Sequence, residues 1–88
     1  MVKLNYSEIR FDHKVIFSKD KSIFAVARHN GDAHLRIFLI YEDTGDVYTR
    51  NGKADSWEEL SIYEGAIVRN MLRKASNIPV YTINGSHQ

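Results

Sequence analysis

The chemistry open to these 88 residues starts from four histidines, eleven carboxylates and no cysteine. Without a thiol there is no disulfide scaffold, thiolate zinc site, cysteine nucleophile or iron–sulfur cluster. His29, Asp32 and His34 bracket Asn30-Gly31 and offer the nitrogen and oxygen donors that suit a divalent metal. Strand alternation puts His29 and His34 on one face but at successive rungs, with no fourth donor at hand. Neither H-x-x-x-H nor H-E-x-x-H occurs, so these histidines predict solvated hairpin-tip residues and no metal centre. His13, set among alternating apolar residues, predicts a partly buried, hydrogen-bonded imidazole. The phosphate-cradling GxGxxG and GxxxxGK[ST] and the nucleophile elbow G-x-S-x-G are absent. No cofactor is expected.

Asp43-Thr44-Gly45 follows the apolar run Ile37–Tyr41 and resembles the active-site triplet of retropepsin-like aspartic proteases. That resemblance implies a dimer in which one aspartate from each subunit shares a proton with its twin. Glu42 and Asp46 flank the triplet where that family has an apolar and a small residue, and no Gly-rich flap is found. A β-turn accounts for the three residues. The expectation is a protein with no catalytic residues.

What must position any site is a short series of strands and one helix. From Ile9 to Phe17 apolar residues alternate with charged ones, so Ile9, Phe11, Val15 and Phe17 are expected on one face with His13 among them. Ile23–Arg28 reads as a second strand. Asn30-Gly31 suits a two-residue hairpin loop, which pairs His29 with Asp32. Ala33–Glu42 is the third strand, and Gly45 fits a glycine bulge before a fourth at Val47–Arg50. Ser56 and Glu59 have capping-box spacing, predicting a helix from Trp57 to about Ser76 that buries Leu60, Ile67 and Met71. Gly65 inside it marks close approach to the sheet or a kink. Val80–Ile83 predicts an edge strand after Pro79, and residues 85–88 a loose tail. The fold class expected is α+β: a mainly antiparallel sheet of four or five strands in a single domain, residues 1–84, with one helix on one face.

Charge is uneven along this frame although the net is only +1. Residues 1–29 carry six bases against three acids, residues 30–64 three against eight, and residues 65–88 three bases and no acid. Glu58, Glu59 and Glu64 early in the helix and Arg69, Arg73 and Lys74 late in it follow the order the helix dipole favours. The longest apolar run, Ile37–Tyr41, is far too short for a membrane span. With no apolar leader at the N-terminus, a cytoplasmic protein without membrane contact is expected.

The expected hairpin registers divide the side chains into two faces. Phe24, Val26, Leu35, Ile37 and Leu39 form the strongly apolar one, the natural seat for the helix. The other carries Ile23, His34, Arg36, Phe38 and Ile40, joined by Tyr48 and Arg50 if Gly45 makes the bulge. A water-facing sheet surface is mostly polar, whereas this one is half apolar, so these seven residues form the expected partner-binding surface. Aromatic, isoleucine and arginine side chains without lysine are the composition of an interface core. A protein partner or a second copy in a homodimer is expected to cover it, the alternative being that the first strand or the C-terminal segment folds over it. The corresponding function is a small regulatory or inhibitor protein, of the accessory kind that viruses and mobile elements carry. Strand Leu35–Asp43 and segment Lys53–Leu60, in a strands-then-helix order, also resemble the PC4-type single-stranded-DNA-binding cofactors. That resemblance implies bases stacking on Phe38 and Tyr48 and phosphates on Arg36 and Arg50. Its basic loop is represented only by Asn51-Gly52-Lys53, with one lysine.

Overall fold

The computed structural model describes residues 4–29 and 35–84. A 3-10 turn at Tyr6–Glu8 leads into β1 (Ile9–Phe17), β2 (Ser22–His29), β3 (Arg36–Tyr41), β4 (Val47–Asn51), the two-residue β5 (Glu58–Glu59), α1 (Ile62–Lys74) and β6 (Val80–Ile83). All six strands belong to one sheet in the order β5-β4-β3-β2-β1-β6, antiparallel throughout except for the parallel pair β1–β6. The α+β class with one helix on a mainly antiparallel sheet is as expected. The strand count is six because short strands extend both edges. Thirteen helical residues rise about 20 Å, close to the roughly 24 Å spanned by six strands. One pass of α1 therefore carries the chain from the β5 edge to the β1 edge.

Helix and sheet meet on the face expected to be open. The core consists of Ile9, Ile23, Ala25, Ala27, Phe38, Ile40, Val47, Leu60, Val68 and Leu72, with Leu4 and Tyr6 packed against it from the N-terminal segment. The alanines of β2 leave room above the sheet. Gly65 lies over β4: a Cβ there would stand 3.2 Å from Val47 Cγ2, so close approach rather than a kink is the reason for the glycine.

Four local readings are corrected by the structure. The pairing of β1 with β2 shifts between Phe11 and His13. The extra residue, Asp12, makes a bulge, so Ile9 and Phe11 face the helix while His13, Val15 and Phe17 face away. The β2–β3 partners sum to 63 (Ala27 with Arg36, Ile23 with Ile40) instead of 61, an even shift that keeps each residue on its expected side. The Asn30-Gly31 turn itself lies outside the described residues. Gly45 does take positive φ, +81°, and its N–H donates to the Tyr41 carbonyl at 2.7 Å. The β3–β4 register nevertheless pairs Phe38 with Thr49 and Ile40 with Val47. That one-residue difference turns every β4 side chain over.

The helix also starts later than expected. Ser61, not Ser56, is its cap: Ser61 Oγ accepts from the Glu64 N–H at 3.1 Å. Ser61-x-x-Glu64 has the same spacing as Ser56-x-x-Glu59, and strand pairing decides between them. The Leu60 N–H donates to the Val47 carbonyl at 2.9 Å, which extends Glu58–Glu59 as a strand and buries Leu60. Gly65, Val68 and Leu72 then form the buried stripe, leaving Ile67 and Met71 half-buried beside it.

Candidate binding face of the sheet

The second face carries no described element over it, yet it is built like a core. At its centre Leu39 stands between Phe24 and Tyr48, and Ile37 between Val26 and Arg50. On β1, Val15 lies beside Phe24 and His13 beside Val26. β6 adds Tyr81 next to Val15 and Ile83 next to Phe17. At the centre Val26 is buried and Phe24, Ile37 and Leu39 are half-buried, while the rim is open: Leu35 is 45%, Tyr81 56% and Ile83 48% exposed.

Polar tips are confined to the margins. Tyr41 and Tyr48 meet edge-to-face at 6.0 Å, and His13 meets Tyr81 at 5.9 Å. Asp12 Oδ2 holds His13 Nδ1 at 2.8 Å. The charge of Glu59, with burial and Asp46 adding to it, raises the Tyr48 phenol above its ordinary value. Arg50 is fixed by the loop that follows it. Its guanidinium lies 5.1 Å above the Trp57 ring, a cation–π contact, and donates to the Ala54 carbonyl. Arg10 and Arg28 are direct cross-strand partners at the opposite corner, both exposed. Like charges placed opposite each other are destabilising, and no ion pair relieves either one among the described residues.

The seven residues expected to form the partner surface are therefore divided. Ile23, Arg36, Phe38 and Ile40 are buried on the helix side, with Phe38 and Ile40 at 0% and 1% exposure. Arg36 donates to Thr49 Oγ1 at 3.4 Å there. These four are corrected from open surface to core because the helix takes the face with the small alanines. Tyr48 and Arg50 lie on the open face, since the β4 register separates them from Phe38 and Ile40. His34 falls outside the described residues. The expectation missed Phe24, Val26, Ile37 and Leu39, which it had assigned beneath the helix. A usable signal was present in the sequence: tyrosine and arginine, whose polar ends need water, recur on this face and not on the other, apart from Arg36.

The remaining candidate chemistry is dispersed. Asp43 is exposed on its turn, 4.0 Å from Lys21 Nζ. His29 Nε2 accepts the Asn5 N–H at 3.1 Å. Among the described residues no three His, Asp or Glu side chains converge to hold a metal, and no helix is long and apolar enough to cross a membrane. Comparison of the chain with protein-family models, with curated proteins and with solved structures finds no match.

Proposed function

We propose that this protein is a non-catalytic binding module whose open sheet face is covered by a second copy of the chain. The observation that carries this reading is the unbroken apolar centre, Phe24, Val26, Ile37 and Leu39, on a face with no described cover. Six strands about 4.8 Å apart and about five residues deep give a footprint of roughly 400 Å². Apolar patches of a few hundred Å² mark interaction sites on small proteins. Two such faces stacked, with Leu35, Tyr81 and Ile83 at the rim, approach the roughly 1,000 Å² expected of a specific interface. Permanent homodimer interfaces are more apolar than transient ones, which suits a centre without a charge. In this form the protein acts as a small regulatory or inhibitor dimer.

A second reading, single-stranded nucleic-acid binding, draws on the aromatic side chains of the same face and the unrelieved pair Arg10 and Arg28. Bases would stack on Tyr41, Tyr48 and Phe24 while the arginines at the corners take phosphates. One experiment separates the two: sedimentation equilibrium of the wild type and of Leu39→Glu, beside an oligonucleotide titration at two salt concentrations. Self-association predicts a wild-type dimer, a folded monomeric Leu39→Glu and little binding of DNA. A wild-type monomer that binds DNA with steep salt dependence, weakened by Arg28→Ala, would replace the first reading by the second.

A further inference from the structure

On the helix side, at the end of the sheet away from Arg36, a cavity of about 90 Å³ opens between α1 and the strands. Its floor is Ile23, Ile40 and Leu72, and its walls are Lys14, Arg69, Arg73 and Glu42. Three cations thus surround one carboxylate, and among the described residues none of the three makes an ion pair. The Arg69 Nε–H is buried without a hydrogen-bond partner, and its guanidinium lies against Gly45, where a Cβ would come within 3.4 Å of Nη1. A guanidinium fork, a second guanidinium one helical turn later and an ammonium from the facing strand make a donor set for a tetrahedral oxyanion.

We propose that this cavity is a binding site for a phosphate-class dianion. Size permits it, since a single water needs only about 10–15 Å³ of such space. The helix dipole could account for basic residues late in α1. It does not account for Lys14, which comes from β1 and stands across the cavity from them. Glu42 opposes the ligand and sets the sign of a decisive variant. The apolar floor further predicts that a phosphoryl group on an aromatic carrier binds better than the free ion. This assignment is independent of what covers the opposite face.

The test is calorimetric titration of the full chain with inorganic phosphate and with phenyl phosphate, at low salt and neutral pH. Saturable binding of one equivalent is expected, tighter for phenyl phosphate. Arg73→Gln, on an exposed position that leaves the fold alone, should weaken it about tenfold, the worth of one charge-assisted hydrogen bond. Arg69→Gln should weaken it at least as much, and Glu42→Gln should strengthen it. Equal affinity for both probes would place the free ion in the site and remove the carrier. Absence of saturable binding to either probe, or binding that Arg73→Gln and Glu42→Gln leave unchanged, overturns the proposal.

Discussion

The two faces of this sheet are almost equally apolar, yet one became a core and the other did not. Ile23, Ala25, Ala27, Phe38, Ile40 and Val47 lie under the helix; Phe24, Val26, Ile37, Leu39, Tyr41 and Tyr48 lie on the other side. Apolar content does not distinguish them, but shape and polar tips do. The covered face keeps small residues, Ala25 and Ala27, in β2, and the missing side chain of Gly65 lets the helix come within contact distance of Val47 in β4. The open face has no small residue at its centre, and its tyrosines and arginines carry groups that would lose hydrogen bonds beneath a helix. Helix docking is thus selected by what can approach closely and be fully satisfied, and the face left over keeps its apolar centre without a described element over it.

The largest expected difference between the faces is in truncation. Phe38→Ala should cost about 3–5 kcal/mol, because a fully buried ring leaves a cavity that its neighbours cannot fill. Phe24→Ala removes a half-buried ring with fewer contacts and should cost about 1–2 kcal/mol. Urea unfolding at micromolar protein measures both. Repeating it at tenfold higher concentration sharpens the contrast, since a face covered by a second copy makes the Phe24 cost grow with concentration. Equal costs for Phe38 and Phe24 at every concentration would mean the two faces are not different in kind.

The positions of the first four strands, the positive-φ Gly45, the edge strand at Val80–Ile83 and the glycine at a helix–sheet contact were legible in the sequence, whereas β5 was read as helix. Each depends on a local rule: period two, turn chemistry or a missing Cβ. The assignment of faces was not legible, for three physical reasons. A bulge at Asp12 is a single extra residue with no signature in composition, and it reverses half of β1. The Gly45 turn accommodates two registers one residue apart, and only packing of Val47 and Thr49 chooses between them. Ser56 and Ser61 head equally good capping boxes, and the choice lies in the long-range hydrogen bond from Leu60 to Val47. The candidate site inherited all of this, so only Tyr48 and Arg50 of the expected seven are found on the open face.

Gly65→Ala tests the covered contact more finely. In an isolated helix alanine would gain about 1 kcal/mol over glycine. Here the new methyl meets Val47, which is 1% exposed and held in a strand, so it has no direction in which to yield. Overpacking of this kind costs about 1–3 kcal/mol, and net destabilisation is expected; a stabilised variant would show that the helix floats above the sheet. Ser61→Ala should cost about 1 kcal/mol as a lost cap, whereas Ser56→Ala, outside the helix, should leave the thermal midpoint unchanged. The reverse result would restore the earlier helix start and with it a different covered face.

The smallest expected effect distinguishes the two sides by why their tyrosines resist ionisation. Tyr6, packed against the covered core, is pushed up to about 12 by burial first and then by Glu64. Tyr48, on the open face, is raised first by the charge of Glu59. Added salt screens a charge between exposed groups but not burial. An ultraviolet phenolate titration, with Tyr6→Phe and Tyr48→Phe to assign the steps, should therefore show the Tyr48 step moving down at high salt and the Tyr6 step staying in place. Linkage gives the consequence for stability. Between 10.0 and about 12 the folded protein holds a Tyr6 proton that the unfolded chain has released. The contribution is therefore fully present below the first value and lost as pH rises through the second. Tyr6→Phe should flatten the alkaline fall in thermal midpoint across that window. A Tyr6 step that shifts with salt as far as that of Tyr48 would place Tyr6 in solvent, and the N-terminal segment would then no longer be part of what covers the core.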